Sequence, residues 1–316
     1  MSHDREIAFG PGAEFRAVRR MIRRLGNVAA GIGDDVALVH VPRNNAVAVS
    51  TDTSLEDVHF RRAWIAPDEI GYRAATSALS DLAAAGAAGV GMVVALTIPE
   101  NDRELLDGIT DGIARAARDA GVLVYGGDTT RGDRISITCT VLGATRESMG
   151  RECARAGDRL YVTGQLGGPA AAVRAWNAGD EPRAEWRARF AAPAARIREG
   201  RWLMGRGARA AIDISDGLVA DAGHLAAASA VRAELHLETV PRVAGVTPMQ
   251  AATGGEEYEL LVASPIPIDT DAFRARFGIP LTQIGVVRDG HPAVRTLLHG
   301  RAVAVPTPGF DHFASS

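Results

Sequence analysis

Residues 67–98 read PDEIGYRAATSALSDLAAAGAAGVGMVVALTI, and the fold class turns on how that stretch divides. Pro67 and Asp68 open a helix, since proline is tolerated in the first turn, where its missing N–H has no partner to lose. Ile70, Ala74, Ala78 and Leu82 then recur at helical spacing. From Leu82 to Ile98 the chain carries no charge, a run of nearly membrane-spanning length. Glycines at 86, 89 and 91 interrupt it, and alanine gives way to β-branched residues. The stretch therefore reads as a buried helix end followed by a buried strand, not as a membrane segment. Asp81 is conspicuous within it. Its neighbours three and four residues away are Ser77, Ala78, Ala84 and Ala85, a smooth small-residue face on which a buried carboxylate is costly without a partner.

Working outward, the same helix-and-strand alternation continues in both directions. A basic amphipathic helix is expected over Glu14–Leu25, and strands over Val36–Val41 and Ala46–Asp52 around a turn at residues 42–45. A helix over Asn101–Ala120 and a short buried strand over Val122–Tyr125 follow, the strand ending at Gly126-Gly127-Asp128, then a strand over Arg134–Leu142. Beyond Gly157-Asp158 the expected strands are Leu160–Thr163, Ala210–Ile214, Ala233–Leu237, Tyr258–Ala263 and Thr282–Val287. The expected helices there are an Ala-rich one after Gly164–Gly168, then Pro193–Met204, Leu218–Ser229 and Asp269–Phe277. Alternation in both halves points to α/β or α+β layers, and 316 residues to two domains. Periodicity lapses between Thr145 and Gly157, which divides the chain into residues 1–148 and 149–316.

Composition excludes more than it selects. All 35 basic residues are arginine, so neither a Walker A loop nor a kinase strand lysine is possible. A net charge of -3 gives no reason to expect nucleic acid or membrane as a partner. Cys139 and Cys153 make neither a disulfide framework nor a zinc site and read as reduced thiols of a cytoplasmic protein. The N-terminus carries Asp4, Arg5 and Glu6 without an apolar core, unlike a signal peptide.

Five short carboxylate clusters stand out, each among glycines or hydroxyls: Gly31-Ile32-Gly33-Asp34-Asp35, Ser50-Thr51-Asp52, Ser80-Asp81, Gly126-Gly127-Asp128-Thr129 and Asp213-Ile214-Ser215-Asp216-Gly217. Carboxylates with small neighbours suit hard divalent cations, which take oxygen ligands. Each cluster also has a plainer reading. Gly-Asp is ordinary turn chemistry, Ser50 to Asp52 suits a cap, Asp81 a surface acid, and Ser215 or Asp216 a helix cap. None of these explains Asp213 at a strand end. Glycines at 126 and 127 permit close approach of a phosphate, with Asp128 able to hold a metal; a hairpin turn is the alternative. Gly254-Gly255-Glu256-Glu257-Tyr258-Glu259 reads as a glycine turn into an acidic strand, and residues 308–313 as an aromatic tail.

Taken in order, these clusters, together with His59-Phe60, Ser80-Asp81-Leu82-Ala83-Ala84, Gly254-Gly255-Glu256 and Gly309-Phe310-Asp311-His312-Phe313, resemble the thiamine-monophosphate kinase family across nearly the whole chain. The resemblance implies the two-domain α/β (α+β) fold of the aminoimidazole ribonucleotide synthetase superfamily. Its N-terminal sheet domain dimerises, and its C-terminal α/β domain completes the active site. It implies ATP-dependent phosphorylation of thiamine monophosphate in the cytoplasm, by a homodimer, with several magnesium ions. Carried over residue by residue, Asp35, Ser50, Thr51, Asp52, Asp81, Asp128, Asp213 and Asp216 would hold magnesium. Gly127, Asp128, Arg151 and Ser215 would contact ATP, and His59, Glu256 and Phe310 the thiamine moiety. No side chain is expected to form a phosphoenzyme.

The chain departs from the family pattern at Glu257, which replaces an aspartate, and at Pro169, where serine is common. It departs also at Glu56-Asp57-Val58 before His59, and at Phe310, where tyrosine or tryptophan is frequent. Amidine-forming and selenophosphate-forming members of the superfamily are the rival enzymes, and a non-catalytic magnesium–nucleotide sensor the rival outside catalysis.

Overall fold

The computed structural model describes residues 37–41, 45–99 and 103–305. Two sheets lie on either side of one central helix. The first sheet contains β1 (Ala37–Val41), β2 (Asn45–Leu55), β3 (Ala88–Ile98), β4 (Leu123–Arg131) and β5 (Ser136–Thr145), in the order β1-β2-β5-β3-β4. Only the β3–β4 pair within it is parallel, and the helix Arg103–Ala120 supplies the crossover such a pair needs. The second sheet contains β6 (Arg159–Thr163), β7 (Ala210–Asp213), β8 (Arg232–His236), β9 (Leu260–Ser264), β10 (Leu281–Arg288), β11 (Ala293–Leu298) and β12 (Arg301–Ala302). Its order is β12-β11-β8-β10-β6-β9-β7. The fold is thus the mixed α/β two-sheet architecture expected from the sequence, and among the described residues no helix is long and apolar enough to cross a membrane.

The central helix is Pro67–Ala84. It packs across β2 and β5 on one side and reaches β7 and the helix Ile197–Met204 on the other. Small residues make this possible. A Cβ at Gly71 would stand 2.0 Å from the Ile109 carbonyl oxygen, so the helix Arg103–Ala120 approaches backbone to backbone. The helix start has no capping side chain at Ala66; instead the Glu69 carboxylate accepts the Ala66 N–H at 2.8 Å. Glu69 also accepts both terminal nitrogens of Arg187, at 2.8 and 2.7 Å, which ties the helix start to the helix Ala184–Ala191. Ala74, Ala78 and Leu82 are buried in a core that includes Ile137 and Val141 of the first sheet and Leu260 and Val262 of the second.

Strand periodicity sets which face each β2 and β5 residue takes. Ile137, Cys139 and Val141 are buried against the helix, whereas Thr51 and Thr53 are exposed and pair through their hydroxyls with Thr140 and Thr138, at 3.0 and 2.8 Å.

Several boundaries differ from the sequence reading. The strand after Gly121 is neither short nor buried: β4 runs through Gly126, Gly127 and Asp128 to Arg131 as an exposed edge. Leu123, Val124 and Tyr125 imitate a core strand in composition, but all three are exposed among the described residues. Ser50-Thr51-Asp52 lies inside β2 rather than at its end. The expected helix Pro193–Met204 begins only at Ile197, with a separate helix at Ala184–Ala191. The strand expected from Tyr258 begins at Leu260, because Glu256 and Tyr258 take left-handed φ of 69° and 54°. The Glu14–Leu25 helix lies outside the described residues.

Candidate active site

Four expected site residues meet where the central helix passes between the sheets. Ser50 and Asp52 share one face of β2 by strand alternation, the face toward the helix. Ser50 Oγ donates to Asp81 Oδ2 at 2.5 Å, so the helix carboxylate suspected from its small neighbours does find a partner. Asp213, at the end of β7, is 4% exposed. Burial raises its carboxyl above the ordinary carboxylate value; the Ser80 hydroxyl and Arg151 charge oppose this, and the Asp52 charge adds to it. Three carboxylates from a strand, a helix and a second sheet thus crowd one space, together with the hydroxyls of Ser50 and Ser80.

A second group adjoins the first. Asp216, Asp221 and His224 bring one ligand atom each within 4.8 Å of one another. Asp221 Oδ2 accepts the backbone N–H groups of Asp216 and Gly217, at 3.2 and 3.0 Å, and so organises the turn into the helix Leu218–Ser229. Burial, then the charges of Asp216 and Asp213, push Asp221 well above the ordinary carboxylate value. Burial and the nearby Arg151 hold His224 down at about 4, so its imidazole is neutral at physiological pH.

Beside these acids opens a cavity of about 380 Å³, lined among others by His59, Trp64, Arg174, Phe190, Ser215 and Glu256. Ser215 lies two residues beyond Asp213, and its carbonyl accepts the Glu256 N–H at 2.7 Å. His59 Nδ1 accepts the Leu55 N–H at 3.0 Å, which leaves the proton of the neutral ring on Nε2. Trp64 stacks on Trp176 with ring centroids 5.1 Å apart, and Phe190 meets both rings edge-on. Glu256 forms an ion pair with the buried Arg73 and accepts from Tyr258 Oη at 3.3 Å.

The structure therefore brings together Ser50, Asp52, Asp81 and Asp213, sets Asp216 and Arg151 next to them, and gathers His59, Ser215 and Glu256 around one cavity. It does not bring Thr51 into the acid cluster, because alternation turns that side chain to the opposite sheet face. Gly127 pairs with Val94, Val94 with Cys139 and Cys139 with Asp52, so three strand spacings, about 14 Å, separate β4 from Asp52. Asp128 lies one residue further on, on the other face, apart from the cluster. Asp35 and Phe310 lie outside the described residues. Residues the sequence reading missed are Arg73, Trp64, Arg174, Asp221 and His224. Asp221 and His224 do sit three apart on one helix face, a spacing that could have marked them.

Residues 33–145 match the AIR synthase related protein N-terminal domain, and residues 155–296 its C-terminal domain. Thiamine-monophosphate kinase of Haemophilus influenzae is 34% identical over 96% of this chain and 98% of its own length. This chain belongs to the thiamine-monophosphate kinase family. The kinase of Salmonella typhimurium is 33% identical, again over 96% of this chain and 98% of the relative. Among solved structures, AaThiL complexed with AMPPCP and TMP superposes with a TM-score of 0.82 at 30% identity, covering 96% of this chain and 97% of that one. Thiamine-monophosphate kinase from Stenotrophomonas maltophilia gives 0.76 at 32% identity, over 92% and 98%. The HypE-HypF complex matches at 0.77 with 20% identity, a likeness of fold alone. Family membership agrees with the ordered motifs, including Ser80-Asp81 and Asp213–Gly217, that the sequence displayed.

Proposed function

We propose that this chain transfers the γ-phosphoryl group of ATP to thiamine monophosphate, giving thiamine diphosphate and ADP. The observation that carries this reading is the junction at Ser215. There Ser215, two residues beyond Asp213 of the carboxylate cluster, lines an aromatic-walled cavity sized for a small heterocycle, in a chain of this kinase family. The relative solved with AMPPCP and TMP holds the corresponding pair of ligands in its own fold.

Magnesium fits the donor set. Ser50, Asp52, Asp81 and Asp213 offer hard oxygens only, and a bound cation would offset the burial, and the smaller effect of the Asp52 charge, that raise the Asp213 carboxyl. In this proposal those four residues and Asp216 hold several ions, with Asp35 completing the set. Bound magnesium would supply charge neutralisation for two polyphosphates and their alignment in line. Arg151 and Ser215 face the nucleotide. Gly127 and Asp128 on the exposed edge strand are its further contacts, at a reach a triphosphate and its nucleoside can span. Thr51 is left out of the metal set in this reading.

His59 would donate from Nε2 to the acceptor substrate, Glu256 would face its cationic heterocycle, and Trp64 and Phe190 would exclude water around it. Phe310 would add a stacking face. The acceptor is already a phosphate oxygen, so no strong general base is needed, and transfer proceeds directly without a phosphoenzyme.

We also propose a cytoplasmic homodimer built from an N-terminal unit, residues 1–148, and a C-terminal unit, residues 149–316. Val90, Val93, Leu123 and Tyr125 are large apolar side chains exposed on the first sheet and its β4 edge, and a second copy would bury them.

The test is incubation of the purified chain with ATP, magnesium and a panel of phosphorylated acceptors. Thiamine monophosphate should be the acceptor converted, with one ADP per thiamine diphosphate. Conversion of another acceptor in its place, or a labelled phosphoprotein trapped in single turnover, would overturn the proposal.

A further inference from the structure

Arg73 is 1% exposed, among the most deeply buried charged side chains of the described residues. A guanidinium cannot shed its proton, so full burial demands partners. One nitrogen donates to the Phe190 carbonyl oxygen at 2.8 Å, and the charge lies 4.0 Å from the Phe190 ring centroid and 5.9 Å from that of Tyr258. Another nitrogen pairs with Glu256, whose side chain is 30% exposed to the cavity. The Asp52 carboxylate is close enough to support the charge.

Geometry gives this arrangement a direction. Glu256 and Tyr258 both hold left-handed backbone without being glycine, a conformation that persists only where surrounding contacts impose it. Arg73 pairs with the first and its guanidinium lies over the ring of the second. It also stands eight residues before Asp81 on the same helix, about 12 Å along its axis. One rigid element thus carries Asp81 of the acid cluster and, about two turns earlier, the anchor of Glu256.

We propose that Arg73 is a positioning residue: it holds the strained Glu256 turn so that the carboxylate faces the substrate cavity at a fixed distance from the acid cluster. This rests on the proposed transfer to thiamine monophosphate. A buried cation serving only to join the two halves of the fold would alter stability without singling out one substrate, whereas a positioning residue acts through Glu256.

The test is steady-state kinetics of Arg73→Lys, Arg73→Met, Glu256→Gln and Arg73→Met/Glu256→Gln, with KM read separately for thiamine monophosphate and ATP. Arg73→Lys keeps the charge but not the planar fork, and serves if Arg73→Met does not fold. Expected for Arg73→Lys is a rise of about tenfold or more in KM for thiamine monophosphate, with KM for ATP changed less than about threefold. The double variant should be no worse than Glu256→Gln alone, because both changes remove the same oriented carboxylate. Equal rises in both KM values, multiplying effects in the double variant, or an Arg73→Lys enzyme indistinguishable from the unaltered chain would overturn the inference. If the unaltered chain does not phosphorylate thiamine monophosphate, the functional reading fails and this inference fails with it; intact turnover with a silent Arg73 overturns the inference alone.

Discussion

Acid should unfold this protein partly through one histidine. His224 is held at about 4 in the folded chain against an ordinary 6.5, first by burial and then by Arg151. A histidine lowered on folding is neutral in the native state, so its contribution to stability is complete above the unfolded value of 6.5. It is lost as pH falls from there to about 4, where the unfolded chain binds a proton that the folded chain refuses. At about 1.36 kcal/mol per pH unit, the gap corresponds to roughly 3 kcal/mol, most of it gone by pH 4.5. Asp221 works in the opposite sense, since a buried carboxyl raised on folding takes up its proton earlier in the native chain. The comparison must therefore be with His224→Asn, which keeps a polar side chain of similar bulk and every other titrating group. Urea unfolding at pH 7.5 and 4.5, in chelator so that metal does not intervene, should show the unaltered chain losing about 2–3 kcal/mol more than His224→Asn over that interval. Equal losses in the two proteins would refute the burial argument.

Further outcomes follow from the acid cluster and the sheet edge. Asp52→Ala should lower turnover by about three orders of magnitude, with the circular dichroism of the folded chain unchanged, since Asp52 is only partly buried. Chelation should abolish turnover, and added magnesium should restore it without refolding, which circular dichroism before and after will check. Leu123→Glu, at a side chain 63% exposed, should convert the proposed dimer to a monomer in sedimentation velocity, and an unchanged dimer would refute an interface at β4. Glu256→Gln should raise KM for thiamine monophosphate about tenfold or more, with KM for ATP nearly unmoved.

Much of the fold was legible because local pattern and final structure agree. The helical stripe from Ile70 to Leu82 and the β-branched run after Gly89 became the central helix and β3, although β3 is not the buried strand expected, since Val90 and Val93 are exposed. Legibility failed where neighbours far along the chain decide. Val124 and Tyr125 have the composition of a core strand, yet β4 received a partner on one side only and remained an edge. Tyr258 reads as strand, but its left-handed φ of 54° takes it out of the ladder.

The sequence by itself determined the chemistry available: no lysine, abundant small residues beside acids, and motifs whose order marks a thiamine-monophosphate kinase family chain. Those are properties of residue type and spacing, which need no folding to be read. Only the tertiary structure decided which acids share a space. Strand alternation parts Thr51 from its neighbours Ser50 and Asp52, while the packing of one helix between two sheets brings Asp81 and Asp213, 132 positions apart, to the same place. It also made partners of Arg73 and Glu256, because a buried charge must be met by whatever the fold carries to it.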